Sequence, residues 1–261
     1  MAVTLVTGGG GQVGRALAGA DTVLLDHAAL DITDANAVKA ALDAHRPAAV
    51  IHCGAWTNVD ACESDPDRAF LVNEAGTRNV VEAAHAVGAY VVALSTDYVF
   101  DGTKTEPYDE GDEPNPLSVY GRSKLAGEGI ADATVRTSWV RGPLIEWILT
   151  TKDPLRFVTD QTSNPTIASD LATKLRWFVA QRPTGIWHVT NQGAVTAYEF
   201  ARAVLEAAGA DPNRVEPITT NELNRPAPRP PYSVLANQRL ADSGEQLLPD
   251  FRESLKTLVR R

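Results

Sequence analysis

The feature that most restricts the fold stands at the start of the chain, where the apolar run Val3–Val6 leads into Thr7-Gly-Gly-Gly-Gly-Gln-Val-Gly14. An apolar run, a glycine-rich turn and then a helical pattern over Gln12–Leu17 describe a strand that feeds a helix through a sharply turning backbone. Gly8 permits the turn, Gly11 lets the backbone at Gln12 and Val13 approach a diphosphate, and Gly14 lets the helix close on the strand. The pattern implies a dinucleotide site. A flexible linker is the competing account, but a linker has no reason to stand between a buried strand and an amphipathic helix.

The rest of the first half repeats the same alternation. Strand-like runs at Thr22–Leu25, Ala49–His52, Tyr90–Ser95 and Val135–Thr137 are separated by helical patterns at Ala35–Ala44, at Pro66–Phe70 running on to Ala86, and at Val119–Ile130. Val91-Val-Ala-Leu94 is apolar without alternation, as expected of a strand covered by helices on both faces. The expected class is therefore α/β, a doubly wound parallel sheet. After Trp139, Pro143, Pro154, Pro165 and Pro183 punctuate shorter elements, and the helix Ser169–Gln181 with the strand Gly185–Asn191 returns to the sheet. Further helices are expected at Tyr198–Ala208 and Phe251–Arg261, while Arg225-Pro-Ala-Pro-Arg-Pro-Pro-Tyr232 must be extended because each proline removes a donor and constrains its predecessor. This divides the chain into a dinucleotide-binding domain of residues 1–140 and 167–191 and a smaller C-terminal substrate lobe of residues 141–166 and 192–261.

Charge narrows the function. A net charge of −9 argues against a nucleic-acid partner, whose phosphates require a basic surface. The opening apolar run is far too short to span a membrane, so no membrane partner and a cytoplasmic location are expected. Cys53 and Cys62 show no C-x-x-C spacing, which predicts reduced thiols and no metal site.

Further residues suggest the cofactor's ribose contacts and, with the glycine loop, carbonyl chemistry. Asp26 closes the second strand, where a carboxylate can hold the adenosine ribose and repel a 2′-phosphate, and Asp31-Ile32 is a second candidate beside the adenine. Ser95-Thr96-Asp97 ends an apolar strand at the edge where such sheets bind ligands. Tyr120-Gly-Arg-Ser-Lys124 puts a phenol and an ammonium on one helix face. A lysine beside a tyrosine, with the positive nicotinamide ring when it is oxidised, favours the phenolate and should lower its pKa toward the working range, while the Thr96 hydroxyl would steady charge on a substrate oxygen.

Thr7–Gly14, with His52-Cys-Gly-Ala-Trp-Thr-Asn-Val-Asp60, Val72-Asn-Glu-Ala-Gly-Thr77, Ser95-Thr-Asp-Tyr-Val-Phe-Asp-Gly102, Pro116-Leu-Ser-Val-Tyr-Gly-Arg-Ser-Lys-Leu-Ala-Gly-Glu128, Arg136-Thr-Ser-Trp139, Asp160-Gln161 with Pro165-Thr166, and Arg229-Pro230 with Ser233, resembles the dTDP-4-dehydrorhamnose reductases of the extended short-chain dehydrogenase class. The resemblance covers nearly the whole chain. It implies a Rossmann-type fold that uses NADH or NADPH to reduce the C4 keto group of a dTDP-linked 6-deoxyhexose. It implies Thr96, Tyr120 and Lys124 as the catalytic trio, Gly54, Ala55 and Thr57 along the cofactor, and Val59, Asp97, Tyr98 and Trp139 at the substrate. Arg229, in the proline-stiffened segment, is expected to read the diphosphate, and a homodimer is the expected assembly.

The sequence departs from the family in three places around the substrate lobe: Arg141 stands where an aromatic is expected, Gly54-Ala55-Trp56 replaces an Ala-Ala-aromatic run, and Arg141–Thr159 is short. Another nucleotide-sugar 4-ketoreductase or a 4-epimerase is the enzymatic alternative. A non-catalytic, dehydrogenase-like regulatory subunit of methionine adenosyltransferase is the alternative of another class.

Overall fold

Adjacent residues on the first strand point into different cores, and this defines the layering. Leu5, Val50 and Val91 are buried with Val38, Leu42, Val80 and Val81 on one face, whereas Val6, Ile51 and Val92 are buried with Leu17, Leu171, Leu175 and Phe178 on the other. A sheet apolar on both faces is stable only between two helical layers.

The computed structural model describes residues 3–259. The first half runs β1 (Thr4–Thr7), α1 (Gln12–Ala16), β2 (Thr22–Leu25), α2 (Ala35–His45), β3 (Ala49–His52), α3 (Val59–Ser64), α4 (Pro66–Phe70), α5 (Gly76–Ala86), β4 (Tyr90–Thr96), α6 (Val119–Ala126) and β5 (Ala133–Thr137). Then follow α7 (Pro143–Thr150), β6 (Leu155–Val158), β7 (Thr162–Ser163), α8 (Ala168–Gln181), β8 (Gly185–His188), β9 (Val195–Thr196), α9 (Ala197–Ala207), β10 (Val215–Ile218), α10 (Gln238–Asp242) and α11 (Phe251–Leu258). The main sheet is six-stranded, ordered β2-β1-β3-β4-β5-β8, and every pairing in it is parallel. The chain leaves β1 toward one edge and returns through β3 toward the other, so the loops after these two strands diverge and open a crevice at the switch point.

A second core lies beyond the sheet. Ile145 and Ile148 of α7, Phe200, Val204 and Leu205 of α9, and Phe251 and Leu255 of α11 pack around Leu155 and Val215 of the parallel β6–β10 pair. Thr196 and Glu199 form a reciprocal capping box that fixes the start of α9. Among the described residues no helix is long and apolar enough to cross a membrane.

The expected elements are present, with instructive differences at their ends. The helix expected from Pro66 through Ala86 is interrupted by a π-helical turn at Leu71–Ala75. That turn directs the buried Asn73 inward, where its Nδ2 donates to Trp56 O at 3.1 Å and Ser123 Oγ at 2.9 Å. The helix expected to Ile130 stops at Ala126 and the chain turns away through Gly129 at φ +76°, while Gly127 lies so close to Asn73 O that a Cβ there would come within 2.6 Å. The strand expected to Asn191 ends at His188, after which Thr190 N–H turns to the Asn237 side chain at 2.7 Å. Neither α3 nor α7 was anticipated, and of the terminal helix expected over Phe251–Arg261, the last two residues lie outside those described.

Candidate active site

The glycine loop is shaped by contacts that only glycine permits. Gly8 has φ +69°, and a Cβ on it would stand 2.8 Å from Cys53 C and Gly54 N, so the loops after β1 and β3 touch there. A Cβ on Gly14 would come within 2.5 Å of Gly8 O. Over this cradle lies a cavity of about 710 Å³, within the range of small-molecule sites. Its walls bring together Gly8, Gly11, Gln12, Val13, Gly14, Asp26, Gly54, Ala55, Thr57, Tyr120 and Lys124. Gly11 carries no side chain to cap α1, and Gln12 Oε1 is buried without a partner among the described residues. The close backbone approach and these unmet polar groups fit a dinucleotide.

Two expected residues are elsewhere. Asp31 is exposed and its carboxylate accepts from Thr33 N at 2.9 Å and Thr33 Oγ1 at 2.7 Å, outside the cavity wall. Ile32 is buried beneath Gly54 and Gly76, packing under the loops rather than facing the cavity. Arg15, His27 and Ala28 line the wall beside Asp26 and were missed, since a lone arginine in a short helix gives no motif.

The phenol and ammonium are set by α6. Ser118 caps that helix by accepting from Gly121 N at 3.1 Å, which puts Tyr120 in its first turn and Lys124 one turn later. Gly121 is required where it is, because any Cβ there would collide with Tyr98 O. Tyr120 and Lys124 are both buried. Burial brings Lys124 down to about 8, against the opposing field of Glu128, which is held by Arg136 at 2.7 Å and by Ser95 Oγ at 2.5 Å. Burial pushes the Tyr120 phenol above its ordinary value, with the Thr96 hydrogen bond acting the other way. Desolvation dominates at Tyr120, and the phenol keeps its proton at neutral pH.

Thr96 and Asp97 stand behind the walls. Asp97 is 2% exposed and lines neither this cavity nor the next. Thr96 Oγ1 donates to its Oδ1 at 3.2 Å, while Ser163 Oγ and Ser233 Oγ donate to its Oδ2 at 3.1 and 2.5 Å. Burial raises Asp97 to about 6 despite these donors. His52, quoted for its place in the β3 run, is a packing residue: it bridges Thr7 at 2.7 Å and Thr77 at 3.0 Å, and burial lowers it to about 3.

A second cavity of about 500 Å³ adjoins, with Val59, Tyr98, Trp139 and Arg229 on its wall as expected. The Tyr98 and Tyr120 rings meet edge to face at 6.0 Å, so the two cavities share a boundary at the phenol. Trp139 has φ +39°, a strained conformation for a large side chain. The Arg229 guanidinium is engaged by both oxygens of Asp60, at 3.0 and 2.9 Å, and by Ala227 O at 2.9 Å. It is thus not free in the way its sequence context suggested. Arg141, Trp147, Arg156 and Arg225 also line this wall. Of these, Arg141 stood out in the sequence as a departure from an expected aromatic and Arg225 by its place with Arg229 in the proline-stiffened segment, whereas Trp147 and Arg156 gave no signal.

The chain matches the RmlD substrate binding domain family over residues 1–261. It is 40% identical to a dTDP-4-dehydrorhamnose reductase of Streptomyces griseus, covering 96% of this chain and 91% of that protein. The chain belongs to the dTDP-4-dehydrorhamnose reductase family. Another reductase of this family, from Mycolicibacterium smegmatis, is 39% identical over 98% of this chain and 84% of its own length. The Bacillus anthracis reductase, solved in complex with NADP, superposes with a TM-score of 0.93 at 33% identity, covering 98% of each chain. The family's extended short-chain fold is the one seen here, with the glycine loop and the Tyr120–Lys124 helix flanking one crevice.

Proposed function

We propose that this protein is an oxidoreductase that uses NADH or NADPH to reduce the C4 keto group of a dTDP-4-keto-6-deoxyhexose, of the dTDP-4-dehydrorhamnose type. The observation that carries the reading is the placement of Tyr120, which is the boundary residue between a cavity that fits a dinucleotide and a second cavity lined by arginines and aromatics. Reduced nicotinamide in the first cavity would supply hydride to the carbonyl carbon. Gly8, Gly11, Gln12, Val13, Gly14, Gly54, Ala55 and Thr57 would hold that cofactor, with Asp26 at its ribose. Residues 1–140 with 167–191 serve as its domain in this reading, and residues 141–166 with 192–261 as the substrate lobe.

Tyr120 would give its proton to the C4 oxygen, and its raised pKa keeps that proton in place at neutral pH until the oxygen becomes basic. Lys124 would stabilise the phenolate left behind, and Thr96, within hydrogen-bond reach of Tyr120, would share the developing charge. Val59, Tyr98 and Trp139 would contact the sugar from the second cavity. Asp97 would act by fixing Thr96 rather than by touching substrate.

Asp26 disfavours a 2′-phosphate while Arg15 beside it favours one, so NADH is expected to serve at least as well as NADPH; a large NADPH advantage in kcat/KM would show that Asp26 does not hold the ribose. A cytoplasmic location fits a reaction that draws on reduced nicotinamide, and sedimentation would test the expected homodimer. The activity itself is tested by incubating a panel of 4-keto nucleotide sugars with each reduced cofactor and following the loss of nicotinamide absorbance. Oxidation dependent on a dTDP-4-keto-6-deoxyhexose supports the reading, and no oxidation with any member of the panel refutes it.

A further inference from the structure

Four arginines line the second cavity, and their partners divide them into two kinds. Arg229 is locked to both oxygens of Asp60, and Arg156 reaches Glu222 at 3.5 Å. Among the described residues Arg141 and Arg225 have no ion pair, and Arg141 Nε is buried with no hydrogen-bond partner. A buried guanidinium N–H without an acceptor is costly and calls for a ligand that supplies one.

The surroundings say what that ligand must be. The Arg141 guanidinium lies 4.9 Å over the Trp139 ring, which fixes its plane on the cavity wall. Arg225 is close enough to oppose its charge, so two cations face one space. The nearest carboxylates are spent: Asp60 is saturated by Arg229, and the oxygens of Asp97 are taken by three hydroxyls. A compact group with several anionic oxygens satisfies both guanidiniums, and forked guanidinium donors suit phosphate oxygens. Val140, next to Arg141, lines the first cavity, so an anion held here has its attached groups beside the Tyr98–Tyr120 boundary.

We propose that Arg141 and Arg225 form a two-guanidinium clamp for the diphosphate of the nucleotide sugar, and that Arg229 is a tether holding the proline-rich strap to Asp60. The clamp rests on the nucleotide-sugar reading above. It also gives a role to the replacement of an expected aromatic by Arg141, since the side chain that would have extended the apolar wall instead adds charge to it.

The test is calorimetric titration of the full-length protein with thymidine diphosphate and, separately, with inorganic pyrophosphate and with each reduced cofactor. Arg141→Met and Arg225→Met should each weaken thymidine diphosphate binding by about tenfold or more, with a shallower salt dependence, and leave cofactor binding unchanged. Arg141→Lys, which keeps the charge but loses the fork, should fall between. Unchanged thymidine diphosphate affinity in either methionine variant overturns the clamp. So does a loss confined to cofactor affinity, which would assign these arginines to the cofactor's own phosphates. Should Arg141→Met disturb folding, seen as joint loss of both ligands, the exposed Arg225 decides alone. The functional reading fails separately: a wild-type protein that binds thymidine diphosphate through these arginines but oxidises no cofactor with any 4-keto sugar keeps the clamp and loses the reductase.

Discussion

The two cavities are built by different means. The first is formed largely by backbone at the switch point of the sheet, where Gly8 and Gly14 leave no room for a Cβ and the loops after β1 and β3 come into contact. The second is formed by long side chains from segments far apart in the chain, among them Val59, Tyr98, Trp139, Phe157 and Arg229. A site made by backbone shape has little freedom in which residues it accepts, so it tolerates few changes and binds what all such sites bind. A site made by side chains can be re-cut one residue at a time, which is where a family sharing one reaction can vary its substrate.

The phenol lines the first cavity and meets Tyr98 of the second, and it should give the largest effect. Tyr120→Phe keeps the ring but removes the proton donor, so turnover should fall by about two to four orders of magnitude while cofactor titration stays normal. Near-normal turnover would place the proton on another group and detach the chemistry from this boundary.

The rigidity attributed to the first cavity is broken or upheld by Gly14→Ala. The added methyl would collide with Gly8 O and Gly9 Cα, so the loop must shift, with a loss of about 1–3 kcal/mol in urea unfolding and weaker cofactor binding. Wild-type stability together with wild-type cofactor affinity would show that the cradle is softer than its contacts imply.

The strap of the second cavity should respond differently. Removing the bidentate pair with Arg229→Ala should lower stability by about 1–2 kcal/mol, discounted because Asp60 is partly open to solvent, and should raise KM for the nucleotide sugar by only a few-fold. A tenfold rise in KM with unchanged stability would instead make Arg229 a direct diphosphate ligand.

An effect of about the same size as that of the strap is expected on the pH profile. Lys124 loses its proton near pH 8 because burial disfavours the ammonium, so the charged form that steadies the phenolate is present below that pH and lost above it. Turnover should decline by about tenfold between pH 7 and pH 9, and a profile flat to pH 10 would mean the charge of Lys124 does not matter to the rate.

What was legible in the sequence follows the same division. The glycine loop, β1 through β5 and the Tyr120–Lys124 helix could be read because consecutive residues carry them. The π-helical turn at Leu71–Ala75 could not, because it adds one residue per turn without changing composition, and its purpose is visible only when Asn73 meets Trp56 and Ser123. The resemblance named Asp97, but the partners of its carboxylate, Ser163 and Ser233, are residues that only the folded chain brings near. Arg229 was read from a local motif, and its partner Asp60 is 169 positions away. The depth at which Tyr120 and Lys124 sit was not legible either, because spacing reveals a charged neighbour but not burial.

The central claim is that hydride passes from a nicotinamide in the first cavity to a carbonyl carbon in the second. The most direct measurement is a reaction run with reduced cofactor deuterated at the transferable C4 position, using a dTDP-4-keto-6-deoxyhexose as substrate and analysing the sugar by proton NMR and mass spectrometry. The account predicts a product one mass unit heavier, with deuterium at C4 of the sugar and nowhere else, and loss of that product in Tyr120→Phe. Deuterium at another carbon, or a reduced sugar carrying none when the correctly deuterated face of the cofactor is used, would contradict it.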